Sequence, residues 1–236
     1  MPETDHAFQF SAVVLCGGNS ERMGFDKFRL PLGERTFLEC VVSTLLDSFR
    51  GPVFCVANTD SQNAVAETLT GLSTDRVHVL VDERDNSGPL EGIRVGLKKA
   101  ADFSPWVFVT SCDVPLLVPA VVASLQSRAE VAEHGVEAVI PRSEKRIFGM
   151  TAMYKSSVHS QIDSLIEAAQ LKVSGLATEL NATMIDIETL RQLDPQFNSV
   201  RNLNLPSQYL RFLEEKGFPC PPEIRQRLSL GSDKNE

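Results

Sequence analysis

The chain has 236 residues, of which 42% are hydrophobic and 23% charged, values typical of a globular protein with a sizeable core. The formal net charge of -8 disfavours nucleic acids and anionic membranes as partners, because like charges repel. The sequence has no apolar run of about 18 residues that could span a membrane, and its first residues lack the pattern of a secretory signal. Its cysteines are scattered and form no C-x-x-C pair, which indicates reduced thiols in a cytoplasmic protein.

Up to residue 140, short apolar runs alternate with longer amphipathic ones. The apolar runs predict strands at Phe10–Cys16, Val53–Ala57, Val77–Val81, Trp106–Thr110 and Val136–Ile140. The amphipathic runs predict helices at Thr36–Phe49, Asp60–Leu69, Leu90–Ala101 and Pro115–Val131. Pro115 suits the first turn of the last of these helices. Strands that alternate with helices predict an α/β fold with a mainly parallel sheet.

After residue 140 the alternation is less regular. We expect strands at Met150–Tyr154 and Ala182–Ile187, and helices at Ser156–Ala169 and Gln208–Glu215. Residues 10–216 are predicted to form a single domain, preceded by an N-terminal extension at residues 1–9. Residues 217–236 contain closely spaced prolines and a polar end, so we expect a frayed C-terminal tail.

Three loops that are rich in glycine, proline or polar residues each follow a predicted strand. They are Gly17–Arg35, Asp82–Pro89 and Cys112–Pro115. Right-handed crossovers place every loop that follows a strand of a parallel sheet at the same edge. Ligands of such sheets bind outside the carboxyl ends of the strands. The sequence therefore predicts that the three loops share one site.

The loop after the first strand reads Leu15-Cys16-Gly17-Gly18-Asn19-Ser20-Glu21-Arg22-Met23-Gly24-Phe25-Asp26-Lys27. Paired glycines after a strand allow several backbone N–H groups to point at one anion. Arg22 and Lys27 add cations that bind phosphate oxygens. The loop matches neither the G-x-G-x-x-G fingerprint of dinucleotide-binding folds nor the G-K-[ST] ending of a Walker A loop. It is predicted to bind phosphates in another kind of site.

This loop resembles, nearly position for position, the nucleotidyltransferase signature L-x-G-G-x-S-x-R-M-G-x-D-K, in particular that of the molybdenum cofactor guanylyltransferases, the MobA-like proteins. The resemblance implies the nucleotidyltransferase fold, a three-layer sandwich with a mainly parallel, Rossmann-like sheet. It also implies a nucleotide half at about residues 10–115 and an acceptor half at about residues 140–210. The nucleotide contacts that it implies in this loop are Leu15, Cys16, Gly17, Gly18 and Lys27.

Two further motifs in the nucleotide half are similar to those of the same family. The segment Ser87-Gly88-Pro89-Leu90-Glu91-Gly92-Ile93 resembles G-P-L-x-G-[IM], with Glu91 where a small residue is usual, and implies a nucleotide contact at Gly88. Asp82 falls where the family has a nucleotide-contacting aspartate. Cys112-Asp113-Val114-Pro115 resembles C-D-x-P, whose aspartate is the Mg²⁺ ligand, so Asp113 is implied to bind both metal and nucleotide. Without the resemblance, Asp82 would more often be a turn residue and Asp113 a helix cap.

A late motif points to the acceptor. Asn202-Leu203-Asn204-Leu205-Pro206 resembles the N-x-N-T-P motif of the family, with Leu205 where threonine is usual. The resemblance implies that the amides of Asn202 and Asn204 bind the acceptor. A second departure is Phe148-Gly149-Met150, where the family tends to have an H-P-L-like stretch before the A-x-Y matched by Ala152 and Tyr154.

The resemblance implies transfer of GMP from GTP to the phosphate of molybdopterin, with release of pyrophosphate. Mg²⁺ on Asp113, together with Lys27 and Arg22, would neutralise the developing charge, and an ionised acceptor phosphate needs no general base. Molybdoenzymes or other proteins of cofactor biosynthesis are the expected protein partners.

Three alternatives remain: cytidylyl transfer to the same cofactor, guanylyl transfer to a corrinoid, and a non-catalytic nucleotide-binding adaptor. The Gly17-Gly18 pair favours GTP, because the cytidylyl relatives tend to have alanine there.

Overall fold

The computed structural model describes residues 6–17, 23, 25–72, 74–84 and 87–232. The strands of its central sheet are β1 (Phe10–Leu15), β4 (Val53–Ala57), β5 (Val77–Val81), β6 (Trp106–Ser111), β7 (Ala138–Arg142), β8 (Ala152–Lys155) and β9 (Ala182–Asp186). A separate antiparallel pair, β2 (Pro31–Leu32) and β3 (Arg35–Thr36), turns at Gly33, whose φ of +65° suits glycine. The helices are α1 (Phe37–Ser48), α2 (Gln62–Thr68), α3 (Gly88–Ala100), α4 (Pro119–Glu130), α5 (His159–Glu167), α6 (Val173–Glu179), α7 (Pro206–Lys216) and α8 (Pro222–Ser232).

The central sheet has the order β5-β4-β1-β6-β8-β7-β9. All neighbouring strands are parallel except β8, which pairs antiparallel with both β6 and β7. β8 reverses direction because the connection from β7 contains no crossover helix and the chain turns back at residues 143–151. The predicted α/β fold with a mainly parallel sheet is therefore confirmed.

Helices cover both faces of the sheet, which makes three layers. Every residue of β1 is buried, and its side chains alternate between two cores. Ala12 and Val14 belong to the core under α1 and α4, whereas Val13 and Leu15 belong to the core under α3, α5 and α6. α3 lies close to β1 because Gly96 has no side chain: a Cβ atom there would lie 2.6 Å from the Cγ atoms of Val13.

α1 begins where its sequence provides a capping box. The hydroxyl of Thr36 accepts a hydrogen bond from Glu39 N–H (3.2 Å), and the Glu39 carboxylate accepts one from Thr36 N–H (2.7 Å). This arrangement fixes the end of the long loop that leads from β1 to α1.

Most predicted elements are present with ends that differ by three residues or fewer, and Val53–Ala57 and Val77–Val81 are unchanged. The helix predicted from Pro115 is an exception, because α4 begins at Pro119, with a proline in its first turn. Both prolines suit a helix start, but the residues after β6 first turn back, with Val114 N–H bonded to Ser111 carbonyl. The helix α6 was not predicted.

The prediction of a frayed C-terminal tail is wrong for the part that the structure describes. Gly217, with a φ of +73°, ends α7, and the chain then forms α8. Leu228 in α8 is 1% exposed and packs in a third core cluster with Met23, Leu30 and Phe212. In the described part of the chain, no helix is both long and apolar enough to cross a bilayer.

Candidate active site

The loops after β1, β5 and β6 meet at the carboxyl edge of the sheet. The parallel ladder continues one residue beyond the strands at each of these points. Cys16 N–H donates to Val56 carbonyl (2.7 Å), Asp82 N–H to Ala57 carbonyl (2.9 Å), and Cys112 N–H to Leu15 carbonyl (3.0 Å). The side chains that follow therefore start from neighbouring positions on a rigid sheet.

A charged cluster at this edge joins distant parts of the chain. Lys27 Nζ lies 3.2 Å from Asp113 Oδ2 and also donates a hydrogen bond to Asn204 Oδ1. Asn202 Nδ2 donates to Asp113 Oδ1 at 2.7 Å. The side chain of Asp113 is 7% exposed and that of Lys27 is 22% exposed, so both lie largely out of water. The structure thus places two residues of the predicted nucleotide half beside two of the predicted acceptor half.

The segment that carries Asn202 and Asn204 is fixed by its backbone and by the residue between them. Leu203 is 1% exposed in the third core cluster, and its N–H donates to Asp113 carbonyl at 3.1 Å. Gln208, in the first turn of α7, accepts hydrogen bonds from Asn204 N–H (2.8 Å) and from the next N–H (3.1 Å). Gln208 was not predicted as part of the site, although a glutamine in the first turn of a helix is a capping-box signal.

Asp82 lies against two glycines. A Cβ atom on Gly17 would be 3.6 Å from Asp82 Oδ2, and one on Gly92 would be 3.6 Å from Asp82 Oδ1. A Cβ atom on Gly92 would also come within 2.9 Å of Leu15 Cδ2, which requires the neighbour to move. The absence of a side chain at Gly92 therefore leaves room for Leu15, and the Asp82 carboxylate lies beside it at ordinary contact distance.

Cys16 lies beneath the beginning of the loop and contacts the thiols of Cys55 and Cys112. Burial raises the pKa of the Cys16 thiol well above its usual value, and its contacts with these two cysteines raise it further. Cys16 is therefore a neutral thiol, and its backbone N–H is already bonded within the sheet. All five cysteines lie in the described part of the chain, and none forms a disulfide.

Three further residues of the predicted site are Gly88, Gly18 and Arg22. Gly88 is the first residue of α3, with a φ of +62°, and a Cβ atom there would lie 3.7 Å from Leu171 carbonyl. Gly18 and Arg22 fall outside the described residues.

The departure at Phe148-Gly149-Met150 forms a tight turn that is bonded to its surroundings. Tyr154 OH donates to Gly149 carbonyl at 2.8 Å, and burial raises the pKa of Tyr154 above its usual value. A Cβ atom on Gly149 would lie 2.6 Å from Val173 Cγ1. The hydroxyl of Thr151 donates to Ser199 carbonyl at 2.9 Å, which ties this turn to the chain that leads to Asn202.

The residues around Asp113 suit a metal that arrives with its substrate. In the described residues, no group of three or more His, Cys, Asp or Glu side chains could hold a metal by itself. Mg²⁺ commonly takes one or two carboxylates and completes its shell with substrate phosphates and water. Each Asp113 carboxylate oxygen accepts one hydrogen bond and keeps a further lone pair, so this donor set fits such an ion.

A sequence model of the MobA-like NTP transferase domain matches residues 12–181. The chain belongs to the MobA-like NTP transferase family. A MobA-like relative from Methanothermobacter thermautotrophicus, named "probable molybdenum cofactor guanylyltransferase", is 30% identical over 200 residues, 83% of this chain and 95% of that protein. A protein of the same name from Mycobacterium bovis is 33% identical over 201 residues, 84% of this chain and 93% of that protein.

Solved structures agree on the MobA-like fold. Molybdopterin-guanine dinucleotide biosynthesis protein A from Archaeoglobus fulgidus superposes with a TM-score of 0.73 at 24% identity, covering 88% of this chain and 98% of that chain. A nucleotidyl transferase from Methanothermobacter superposes with a TM-score of 0.67 at 19% identity, covering 88% and 97%. The family identifies this protein as a nucleotidyltransferase enzyme, and the predicted family and fold are both confirmed. The matched domain ends at residue 181, so Asn202 and Asn204 lie beyond it, in the segment that directly precedes α7.

Proposed function

We propose that this MobA-like transferase transfers GMP from GTP to the phosphate of molybdopterin, forming the guanine dinucleotide cofactor and pyrophosphate. The observation that carries the proposal is the cluster in which Lys27 and Asp113 meet Asn202 and Asn204 at the carboxyl edge of the sheet. A cation, a carboxylate and two amides at that edge suit two phosphate-bearing substrates that must meet. The guanylyltransferase name of the relatives supports GTP and molybdopterin as those substrates.

The nucleotide binds along the loops after β1 and β5. The contacts that we propose for it in the first loop are Leu15, Cys16, Gly17 and Gly18, with Asp82 and Gly88 following β5. Glycine at position 17 is open enough for close approach, since a Cβ atom there would have only ordinary van der Waals contacts with Asp82 and Asn58. Arg22 adds a guanidinium to the same loop.

In the reaction, an oxygen of the acceptor phosphate attacks the α-phosphorus of GTP. A new phosphorus–oxygen bond forms there while the bond to the β-phosphate oxygen breaks, and pyrophosphate leaves with the bonding electron pair. Lys27 stabilises the charge that develops on the transferred and leaving phosphates. Asp113 would hold Mg²⁺, which would supply further positive charge to neutralise the phosphates.

The acceptor phosphate is already ionised at neutral pH, so the enzyme acts by positioning and electrostatics rather than by proton abstraction. Asn202 and Asn204 orient that phosphate, because amides donate hydrogen bonds without adding charge. Their present partners, Asp113 and Lys27, are the groups that a metal–nucleotide complex would engage. Substrate binding therefore exchanges these internal hydrogen bonds for bonds to phosphate.

The proposal also covers the compartment of the reaction and the proteins that receive its product. We place the reaction in the cytoplasm, where free thiols such as those of Cys16 and Cys55 persist. Molybdoenzymes or other proteins of cofactor biosynthesis would receive the product.

The test is to incubate the purified protein with Mg²⁺ and one nucleoside triphosphate at a time, with molybdopterin prepared with or without molybdenum. Pyrophosphate release is the readout. We expect release with GTP and molybdopterin, and none when Mg²⁺ is removed by a chelator. Release with CTP, or with GTP only when a corrinoid replaces molybdopterin, would assign a different transferase. Tight GTP binding without pyrophosphate release for any acceptor would instead support an adaptor.

A further inference from the structure

A buried ion pair lies in the first turns of α3, next to the loop that carries Asp82. Glu91 is 1% exposed and Arg94 is 2% exposed. Arg94 binds both oxygens of the Glu91 carboxylate, with Nε 2.8 Å from Oε2 and Nη2 2.7 Å from Oε1. Glu91 is also the residue that replaces the usual small side chain in the G-P-L-x-G segment. The pair therefore marks a place where this chain differs from the family pattern.

The Glu91 carboxylate also binds the backbone of the neighbouring loop. Glu83 N–H donates to Glu91 Oε1 at 3.1 Å. Glu83 directly follows Asp82, whose own N–H is bonded to Ala57 carbonyl in the sheet ladder. The backbone N–H groups of Asp82 and of the next residue are thus both fixed, the first by the sheet and the second by Glu91.

Arg94 holds this carboxylate in one orientation and connects it to α5. Its Nη2 lies 2.6 Å from Glu83 Oε2, and its Nη1 lies 3.6 Å from Asp163 Oδ1 in α5. Two further cations complete the network: Lys98 Nζ is 3.4 Å from Glu83, and Arg84 Nη2 is 3.0 Å from Asp163. Three carboxylates face three cations, so the network balances its own charge.

We propose that Glu91 and Arg94 are positioning residues that hold Asp82 in the orientation required to bind the nucleotide. The proposal rests on the proposed function, because it takes the nucleotide as the ligand of Asp82. A buried ion pair stabilises a fold little compared with apolar residues of similar size. The carboxylate of Glu91 does what an apolar side chain cannot, since it accepts the N–H of the residue beside Asp82.

The Asp82 carboxylate therefore has little conformational freedom. The backbone of Asp82 is fixed by the hydrogen bonds of its own N–H and of the Glu83 N–H, and its carboxylate lies beside Gly17 and Gly92. Binding a ligand to a side chain that is already fixed avoids the entropy cost of ordering it. Loss of Glu91 should therefore weaken nucleotide binding without altering the groups that carry out the chemistry.

The experiment measures GTP binding in the presence of Mg²⁺ by isothermal titration calorimetry, with full-length protein and no acceptor. Glu91→Ala should raise Kd for GTP about tenfold, the effect expected for losing one hydrogen bond to a charged group. Glu91→Gln should raise it about threefold, because the amide oxygen still accepts the Glu83 N–H. In the Asp82→Ala background, adding Glu91→Ala should change Kd no further, because Glu91 acts through Asp82.

A matched control separates positioning from stability. Ser11 and Ser104 share a 2.6 Å hydrogen bond and are fully buried, near the amino end of β1. Ser11→Ala should lower Tm and leave Kd for GTP unchanged. In the complete assay, Glu91→Gln should raise KM for GTP while kcat and KM for the acceptor stay within twofold.

The outcomes are distinct. If wild-type protein does not bind GTP, the proposed function and this inference both fail. If wild-type protein binds GTP and Glu91→Gln binds it equally well, the inference alone is overturned, even where Glu91→Ala fails to fold. Additive effects of the Asp82 and Glu91 substitutions would also overturn it, since they would show that Glu91 acts elsewhere.

Discussion

Lys27→Ala removes the ammonium group that contacts both Asp113 and Asn204. We expect kcat for GMP transfer to fall about 100- to 1,000-fold, because losing one group that stabilises developing negative charge costs about 3–4 kcal/mol. KM for GTP should change less, since the charge on the transferred and leaving phosphates is greatest in the transition state.

The same substitution should lower stability only modestly. Two unit charges separated by the observed 3.2 Å attract by about 5 kcal/mol at an effective dielectric constant of about 20. The variant no longer desolvates the lysine, the space that Lys27 leaves admits water to the Asp113 carboxylate, and Asn202 remains bonded to Asp113, so only part of this attraction is lost as stability. We therefore expect the free energy of unfolding to fall by about 1–2 kcal/mol. The loss of activity would then come from the chemistry and not from unfolding.

Lys99→Ala is the matched control. Lys99 Nζ lies 2.8 Å from Asp102 Oδ2, but both side chains are exposed, at 47% and 62%. This variant should keep kcat, and its free energy of unfolding should change by less than about 1 kcal/mol. The assay is pyrophosphate release with GTP, Mg²⁺ and molybdopterin, together with urea unfolding of each variant. A Lys27→Ala enzyme with kcat within tenfold of wild type would refute the role assigned to Lys27.

Asp113→Asn should remove Mg²⁺-dependent turnover, while binding of GTP in a titration shows that the variant is still folded. A reaction rate that responds normally to Mg²⁺ would contradict Asp113 as the metal ligand. Gly96→Ala should lower the free energy of unfolding by about 1–3 kcal/mol, because the added Cβ atom would lie 2.6 Å from the Cγ atoms of Val13. Gly175→Ala should not lower it, because no atom lies within 4 Å of a Cβ atom there. Leu228→Ala should cost about 2–4 kcal/mol in urea unfolding, and a smaller loss than 1 kcal/mol would show that α8 is not part of the core. The hydrogen bond from Arg94 lowers the pKa of Glu83 below its usual value of 4.5. The ionised Glu83 therefore stabilises the folded protein above pH 4.5, and this stabilisation is lost as the pH falls through the lowered pKa. Glu83→Gln should reduce the loss of unfolding free energy between about pH 6 and about pH 3, measured by urea unfolding.

The sheet and its functional edge could be predicted because buried parallel strands leave a strong pattern. Val53–Ala57 is buried along its whole length and Val77–Val81 is half-buried, and both read as unbroken or alternating apolar runs bounded by polar turns. Once the strands were known, the handedness of crossovers placed Asp82 and Asp113 at one edge. The sequence alone could not show that Asp113 would bond to Asn202, since these residues are 89 positions apart and no periodicity relates them.

Local sequence signals predict the ends of an element less reliably where two residues suit the same position. Pro115 and Pro119 both suit the first turn of a helix, and only the turn after β6 decides for Pro119. The polar composition at the end of the chain suggested fraying, yet single apolar residues such as Leu228 are enough to dock a helix on an existing core. In the sequence Glu91 is only a departure from a motif, because its contacts with Arg94 and with the Glu83 N–H exist only in the folded protein.

The third core cluster connects the C-terminal helices to the loop that carries Lys27, near the start of the chain. Met23, in the loop after β1, is fully buried in the same cluster as Leu203, Phe212 and Leu228. Lys27 follows four residues after Met23, and Leu203 lies between the two amides of the site. Packing of α7 and α8 therefore fixes the loop that carries Lys27 and the segment that carries Asn202 and Asn204 against each other. Because hydrogen bonds between side chains contribute little without such support, the apolar contacts of the C-terminal helices determine whether the polar site keeps its geometry.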